Sequence, residues 1–326
     1  MLRQIPRQVS DVHFLVRCAR VLVSKYVLLK KHLALYASMI AFLYNTQQIQ
    51  AQYIDFGISV GGATYQGDIS PLRSRFSIEG AKVLKSMHIG YSFNEFYGIK
   101  LRYSTTSINA HDNSSLDLWR RQRNLHFRSP LQEISLINEV ELFDIIPFFR
   151  KYNLKPFISF GVAMFKFNPQ AKYRGYWVDL QPLSTEGQGL PGSNTQPYKL
   201  TQFSIPFGFG VRYEIADNLT ISYEISPRMT FTDYLDDVST VYPDFDLLRQ
   251  QKGYMAMSLS YQGTYFDDEG DFRKISGMGR GNSSDNDWYI FNAFTLSYRF
   301  DLKTAINNQR NIAGGRKCPG FHSKKK

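Results

Sequence analysis

Between Tyr53 and Phe300 apolar and polar residues alternate with a period of two in eight separate stretches, and several of those stretches carry charges on the polar side. In the first, Ile54, Phe56, Ile58 and Val60 alternate with Asp55, Gly57, Ser59 and Gly61. The rhythm returns at residues 86–93, 97–104, 132–143, 158–164, 204–213, 219–226 and 287–300. Lys100 and Arg102 interleave with Ile99, Leu101 and Tyr103, a placement that the dry core of a sandwich penalises and a polar lumen accommodates. A soluble sandwich or lipocalin-like barrel also alternates. It would have to hide Tyr91, Tyr97, Tyr103, Tyr213, Tyr223 and Trp288 near strand ends, where phenol and indole groups seek water; aromatic belts at a lipid interface suit them better. Two residues disturb the pattern. Asn138 interrupts the apolar face of the fourth stretch, and Pro206 removes a ladder donor in the sixth, implying a bulge or a strand start.

The connections sharpen this expectation. Asn94–Phe96 and Ala216–Asn218 have the Asn/Asp chemistry of tight turns, and the fourth and fifth stretches are joined by about ten residues. The others are about 20, 27, 36 and nearly 60 residues long, so short and long alternate as they do in outer-membrane barrels. The fold expected is therefore all-β: an eight-stranded antiparallel transmembrane β-barrel of OmpA/OmpX-type size, with long extracellular loops and both ends of the barrel on the periplasmic side.

Composition agrees where it bears on the argument. Aromatic residues make up 15% of the 326, an excess that suits strands with interfacial girdles. The mean hydropathy of -0.32 would exclude a helical membrane protein, but barrel strands spend every second residue on a polar lumen. The net charge of +11 sits at the ends: the first 51 residues carry +6 and the last 25 carry +7, leaving -2 between them. A nucleic-acid groove on the folded part is thus not supported.

Residues 1–51 read as an N-terminal extension plus export signal. Lys30 and Lys31 precede an apolar run from Leu33 to Tyr44, too short to span a bilayer, and a cut after Ala51 would leave Gln52 first. Residues 52–300 are the expected barrel, and 301–326 a basic, disordered periplasmic tail. Cys18 and Cys318 lie at opposite ends, which argues against a disulfide scaffold or a cysteine zinc site.

An eight-stranded barrel has room inside for side chains and no open pore. Its inward Lys100, Arg102, Glu139, Glu141, Arg212, Glu224, Arg228 and Arg299 should pair as a polar plug. The acidic run through Asp233, Asp236 and Asp237 offers Ca²⁺ candidates, but its spacing lacks the register of an EF-hand loop, and hydrogen bonds that cap the loop are the favoured account of it. His88, His111, His126 and His322 stand in no spacing that favours a nucleophile, and there is no phosphate loop or metal-binding His pair. No cofactor, small-molecule substrate or enzymatic activity is expected.

Several stretches taken together resemble a known family: GISVGGATYQGDIS (57–70), FISFGVAMFKFNPQA (157–171), LSTEGQGL (183–190), IPFGFGVRY (205–213) and FTDYLDDVSTVYPD (231–244). They resemble the PorG-like outer-membrane barrels associated with type IX secretion, over nearly the whole span from Tyr53 to Phe300. The TEGQG and DYLDDVS segments are the more specific parts. The extended N-terminus, the basic tail bearing Cys318 and an insert-like region near 263–286 depart from that pattern. The resemblance implies a non-enzymatic outer-membrane anchor for the periplasmic ring of a secretion and gliding machinery, with residues 144–154 and the tail facing ring subunits and the belt facing outer-membrane lipid. The rival readings are a small porin of the same barrel class and a lipid-modifying barrel enzyme.

Overall fold

The computed structural model describes residues 53–69, 80–142, 154–193, 195–263 and 272–301. The expected export signal, the tail beyond Asp301, both cysteines and nearly all of the 144–154 connection lie outside the described residues. Among the described residues ten strands form one antiparallel sheet: β1 (Tyr53–Gln66), β2 (Lys82–Ser92), β3 (Tyr97–His111), β4 (His126–Glu141), β5 (Leu154–Phe167), β6 (Gln170–Tyr173), β7 (Tyr176–Asp179), β8 (Thr201–Ala216), β9 (Leu219–Thr230) and β10 (Trp288–Asp301). Eight of them close into an up-and-down barrel. Each pairs with its neighbours in sequence once the short β6–β7 hairpin is passed over, and β1 pairs with β10 to seal the cylinder.

The register fixes the barrel's dimensions. Tyr53 pairs with Ser92, Ser92 with Gly98, Gly98 with Glu139 and Glu139 with Ser159. Ser159 pairs with Gly208, which lies opposite Ser226 between the pairs Pro206–Arg228 and Phe209–Ile225. Ser226 pairs with Phe291, and Phe291 returns the path to β1 at Ala63. One circuit therefore climbs ten residues along β1. Eight strands at that shear tilt by about 40° and enclose a bore that side chains alone can fill.

The outer wall is apolar. Phe56, Ile58, Val60, Met87, Leu101, Ile134, Val162, Phe207, Phe294 and Leu296 all point outward, and Ile58 keeps 65% of its surface exposed. A continuous greasy belt on a closed sheet is stable only against hydrocarbon, because water would be ordered over its whole area. Tyr91, Tyr97, Tyr213 and Tyr298 lie at the short-turn ends of their strands. Even Asn138 is accommodated, since Tyr97 donates to its Oδ1 at 2.7 Å.

The strands outrun the alternation that announces them. β1 continues to Gln66, β3 to His111, and β4 starts at His126, so the second long connection is shorter than its sequence reading. The cause is a phase reversal. On β3 the outward series Leu101, Tyr103 becomes Thr105, Ser107, Asn109, while the inward series Lys100, Arg102, Ser104 becomes Ile108 and Ala110. On β4 and β5 the upper inward positions are Phe127, Leu131, Phe165 and Phe167, with Arg128 and Lys166 outside. Above the bilayer the outside is wet and the inside becomes an ordinary apolar core, joined there by Tyr65, Leu84, Tyr289, Phe291 and the loop residues Leu235 and Val238. Pro206 also departs from expectation: it lies in the interior of β8, and the β5–β8 ladder steps across it from Phe207 to Ser204.

Placing a charge in the belt tests the membrane assignment. Ile58→Arg is expected to destabilise the barrel by about 2–4 kcal/mol in vesicles, as midplane cations do. Urea titration of the reconstituted protein measures it; a barrel facing water would be unaffected or stabilised.

Candidate functional site

The lumen holds paired charge from the short-turn end upward. Lys100 Nζ lies 2.7 Å from Glu139 Oε2, and the Arg212 guanidinium bridges Glu139 and Glu141. These four residues, drawn from β3, β4 and β8, form one group. Beside it His88 Nε2 meets Asp55 Oδ2 at 2.7 Å. Arg299 stands apart at the lower mouth, where it and Lys155 share Glu214 Oε1 at 2.6 and 2.9 Å. In the next layer Arg102 Nη2 donates to Glu224 Oε2 at 2.8 Å and Ser159 donates to Oε1 of the same carboxylate at 2.7 Å. Higher still, Arg228 and Tyr289 both donate to Glu133, and the Arg228 guanidinium lies 3.9 Å over the Phe291 ring.

Asp55, His88, Glu133 and Tyr289 belong to this interior although no chemistry had been expected of them. The first three sit on the polar face of their strands, so their phase was legible; Tyr289 lies in the reversed zone and was not. Two cavities of about 10 Å³ each adjoin Asp55, Glu139 and Arg212, room for a single water apiece.

Small inward residues are what let the charges fit. A Cβ at Gly90 would stand 2.2 Å from Asp55 Oδ1, and one at Gly57 2.1 Å from the His88 ring. The glycine-rich strands that look unspecific in sequence thus make room for a specific pair.

Above the barrel the described parts of the long connections fold into a crown with its own buried cations. Arg280 Nη1 donates to Glu186 Oε1 at 2.9 Å, and its guanidinium faces Asp237. Glu186 also accepts from Ser239 N at 2.8 Å and from the Thr240 hydroxyl at 2.7 Å. Thr185 and Tyr198 both donate to Asp237. The TEGQG and DYLDDVS segments are therefore two halves of one assembly, with Arg280 between them. Arg123 pairs bidentately with Asp112, its Nε and Nη2 at 2.7 and 2.8 Å, and reaches the Arg280 carbonyl. Neither arginine was legible in sequence, because loop residues have no phase. Against the burial that would lower it, Glu186 and Asp237 hold the Arg280 guanidinium above its ordinary value.

The three calcium candidates do not converge. Asp237 faces Arg280, Thr185 and Tyr198; Asp236 Oδ1 accepts from Val238 N, and its Oδ2 accepts from Tyr65 at 2.6 Å. Among the described residues no group of three or more His, Cys, Asp or Glu side chains is arranged to hold a metal ion. The Tyr65 hydroxyl also lies 3.0 Å from Asp287 Oδ1. It has one hydrogen to give, so a second hydrogen bond needs a protonated carboxyl. Burial pushes Asp233 up to about 9. Burial and the charge of Asp68 push Asp236 up to about 8, whereas Asp237, buried but facing Arg280, rises only to about 6.

A closed ladder, an apolar belt and a charge-filled bore define an outer-membrane-type transmembrane β-barrel. The chain belongs to the family described as "Domain of unknown function (DUF6089)", whose model matches residues 34–258. No curated protein matches it. Among solved structures it is similar to Ail, the attachment invasion locus protein of Yersinia pestis, at 8% identity and a TM-score of 0.36, over 77% of this chain and 100% of that one. It is also similar to Neisserial surface protein A, at 8% identity and 0.37 over 76% and 97%, and to OprG from Pseudomonas aeruginosa, at 10% and 0.31 over 78% and 99%.

Two predictions follow from these networks. Arg102→Met alone is expected to cost about 3–5 kcal/mol by leaving Glu224 buried and uncompensated, and Arg102→Met with Glu224→Gln should recover at least half of that; a double-mutant cycle in urea measures it. The second concerns pH. Asp233 and Asp236 have folded values above the usual carboxylate range, so the folded crown binds more protons than the unfolded chain. The stability they contribute is complete below about pH 4 and is lost as pH rises through about 8 to 9. Trp119, Trp177 and Trp288 all lie at the crown end, so tryptophan fluorescence should show a lower urea midpoint at pH 9.5 than at pH 5. Asp233→Asn should flatten that slope.

Proposed function

We propose that this protein is a non-enzymatic outer-membrane anchor and assembly component. In this reading it is exported through its N-terminal segment and serves a type IX-like secretion and gliding machinery by holding periplasmic ring subunits at its short-turn end. The observation that carries the reading is the filled bore. A cylinder whose interior is occupied by matched charges offers no conduit, so what remains for it to present is its two ends and its belt. Of the histidines of the described barrel, His88 is held by Asp55 within the lumen and His126 accepts from Lys172 N at 2.9 Å. The resemblance of the crown segments supplies the machinery; the short-turn end supplies the place where ring subunits would bind.

Affinity purification of the full chain from outer membranes in neutral detergent is expected to bring down ring lipoproteins, and a deletion strain to lose secretion. A clean monomer together with normal secretion overturns the reading. The porin alternative is tested separately: planar bilayers containing the purified barrel are expected to remain silent, and stable conductance steps would favour the channel.

A further inference from the structure

Three polar atoms in the middle of the bore are left over by the ion pairs. His88 Nδ1, Arg102 Nε and Ser135 Oγ are each buried and meet no hydrogen-bond partner among the described residues. The residues that carry them are only 5, 7 and 1% exposed, so bulk solvent does not reach them. They are also neighbours. His88 of β2 pairs in register with Arg102 of β3, and Arg102 with Ser135 of β4, so the three side chains stand side by side on the inner wall. On the outer face Ile89, Leu101, Ile134 and Leu136 flank this row, which places it at the depth of the apolar belt.

The other ends of the two long side chains are fixed. His88 Nε2 lies 2.7 Å from Asp55 Oδ2, and Arg102 Nη2 donates to Glu224 Oε2 at 2.8 Å. Neither residue can turn to satisfy its remaining nitrogen without breaking an ion pair. The row gives them no other help, because Gly57 lies opposite His88 at one end and Ala163 opposite Ser135 at the other. Buried polar groups in folded proteins are paired with protein or with ordered water in the great majority of cases, so leftover groups on adjacent strands point to a small polar ligand.

The donor and acceptor inventory identifies that ligand. Arg102 Nε only donates, and the Ser135 hydroxyl donates and accepts. His88 Nδ1 accepts when the ring is neutral and donates when it is protonated. A metal cation is repelled by the Arg102 guanidinium. Chloride has nothing to donate to a neutral Nδ1, and the charge of Arg102 is already matched by Glu224. Water, with two hydrogens and two lone pairs, meets every demand in either state of the ring.

We propose that this row binds ordered water, held by His88 Nδ1, Arg102 Nε and Ser135 Oγ. The water joins the Asp55–His88 pair to the layer of Arg102, Glu224 and Ser159, so that the two networks act as one. It is a structural component of the filled bore, and its binding does not depend on any ring partner.

The test is solution NMR of the full chain refolded in detergent micelles, with ¹⁵N-labelled arginine. The Arg102 Nε–H resonance, assigned by its loss in Arg102→Lys, is expected to show a cross-relaxation peak at the water frequency with the sign of a long-lived bound molecule. Ser135→Val puts two methyl groups where the hydroxyl stood. It is expected to abolish that peak while the heat-modifiable gel migration of the folded barrel is kept. If this variant does not fold, a crystal structure of the unsubstituted chain decides, with solvent density expected within about 3.2 Å of at least two of the three atoms. Absence of the water peak or of that density, or an unchanged peak in folded Ser135→Val, overturns the proposal. Anomalous signal at the site after bromide replaces chloride would make the occupant an anion and overturn it as well.

Discussion

Neutralisation of charge inside a narrow closed cylinder governs the rest of this structure. Eight strands at a shear of ten leave no water-filled channel to solvate a lone ion, so every inward Lys, Arg, Asp or Glu needs a partner across the bore. Lys100, Glu139, Glu141 and Arg212 answer this as a group, Arg102 and Glu224 as a pair, and Arg228 and Glu133 as a pair shared with Tyr289. The greasy exterior needs only to be continuous. The interior needs to be matched residue by residue, and that demand explains why small residues such as Gly57, Gly90 and Ser159 stand beside the ions.

How much of this was legible in the sequence depends on the depth of the residue. Within the belt, lipid outside and paired ions inside impose opposite chemistry on alternate positions, so strand, phase and the inward charges are all readable from Ile54 to Val60 or from Ile99 to Tyr103. Above the belt the same strands continue with the phase reversed. Phe127, Leu131 and Phe165 point in while Arg128 and Lys166 point out, and a reader following the greasy side loses the strand there. The ends of β1, β3 and β4 were missed for that reason. The β6–β7 hairpin was missed for another: four-residue strands are too short to display a period.

The crown shows a third regime. Arg123, Arg280 and Glu186 are separated by long stretches of chain, and nothing in local pattern brings them together; only the two motifs that carry the family resemblance hinted that residues 183–190 and 231–244 mattered. Their contact through Glu186 and the backbone of Ser239 and Thr240 gives that hint a physical meaning. Asp233 and Asp236, which look in sequence like a cation loop, are instead buried, and burial holds both above the usual carboxylate range.

The span of the interior pairs along the chain constrains how such a protein reaches its bilayer. Arg102 and Glu224 are 122 residues apart, and Glu133 and Arg228 are 95 apart. A half-built sheet lying in lipid would expose those ions to acyl chains long before their counterparts had been threaded. Insertion and closure therefore have to be one concerted event, in which the last hairpin arrives before the first strands lose contact with water, and the unfinished chain has to be sheltered until then.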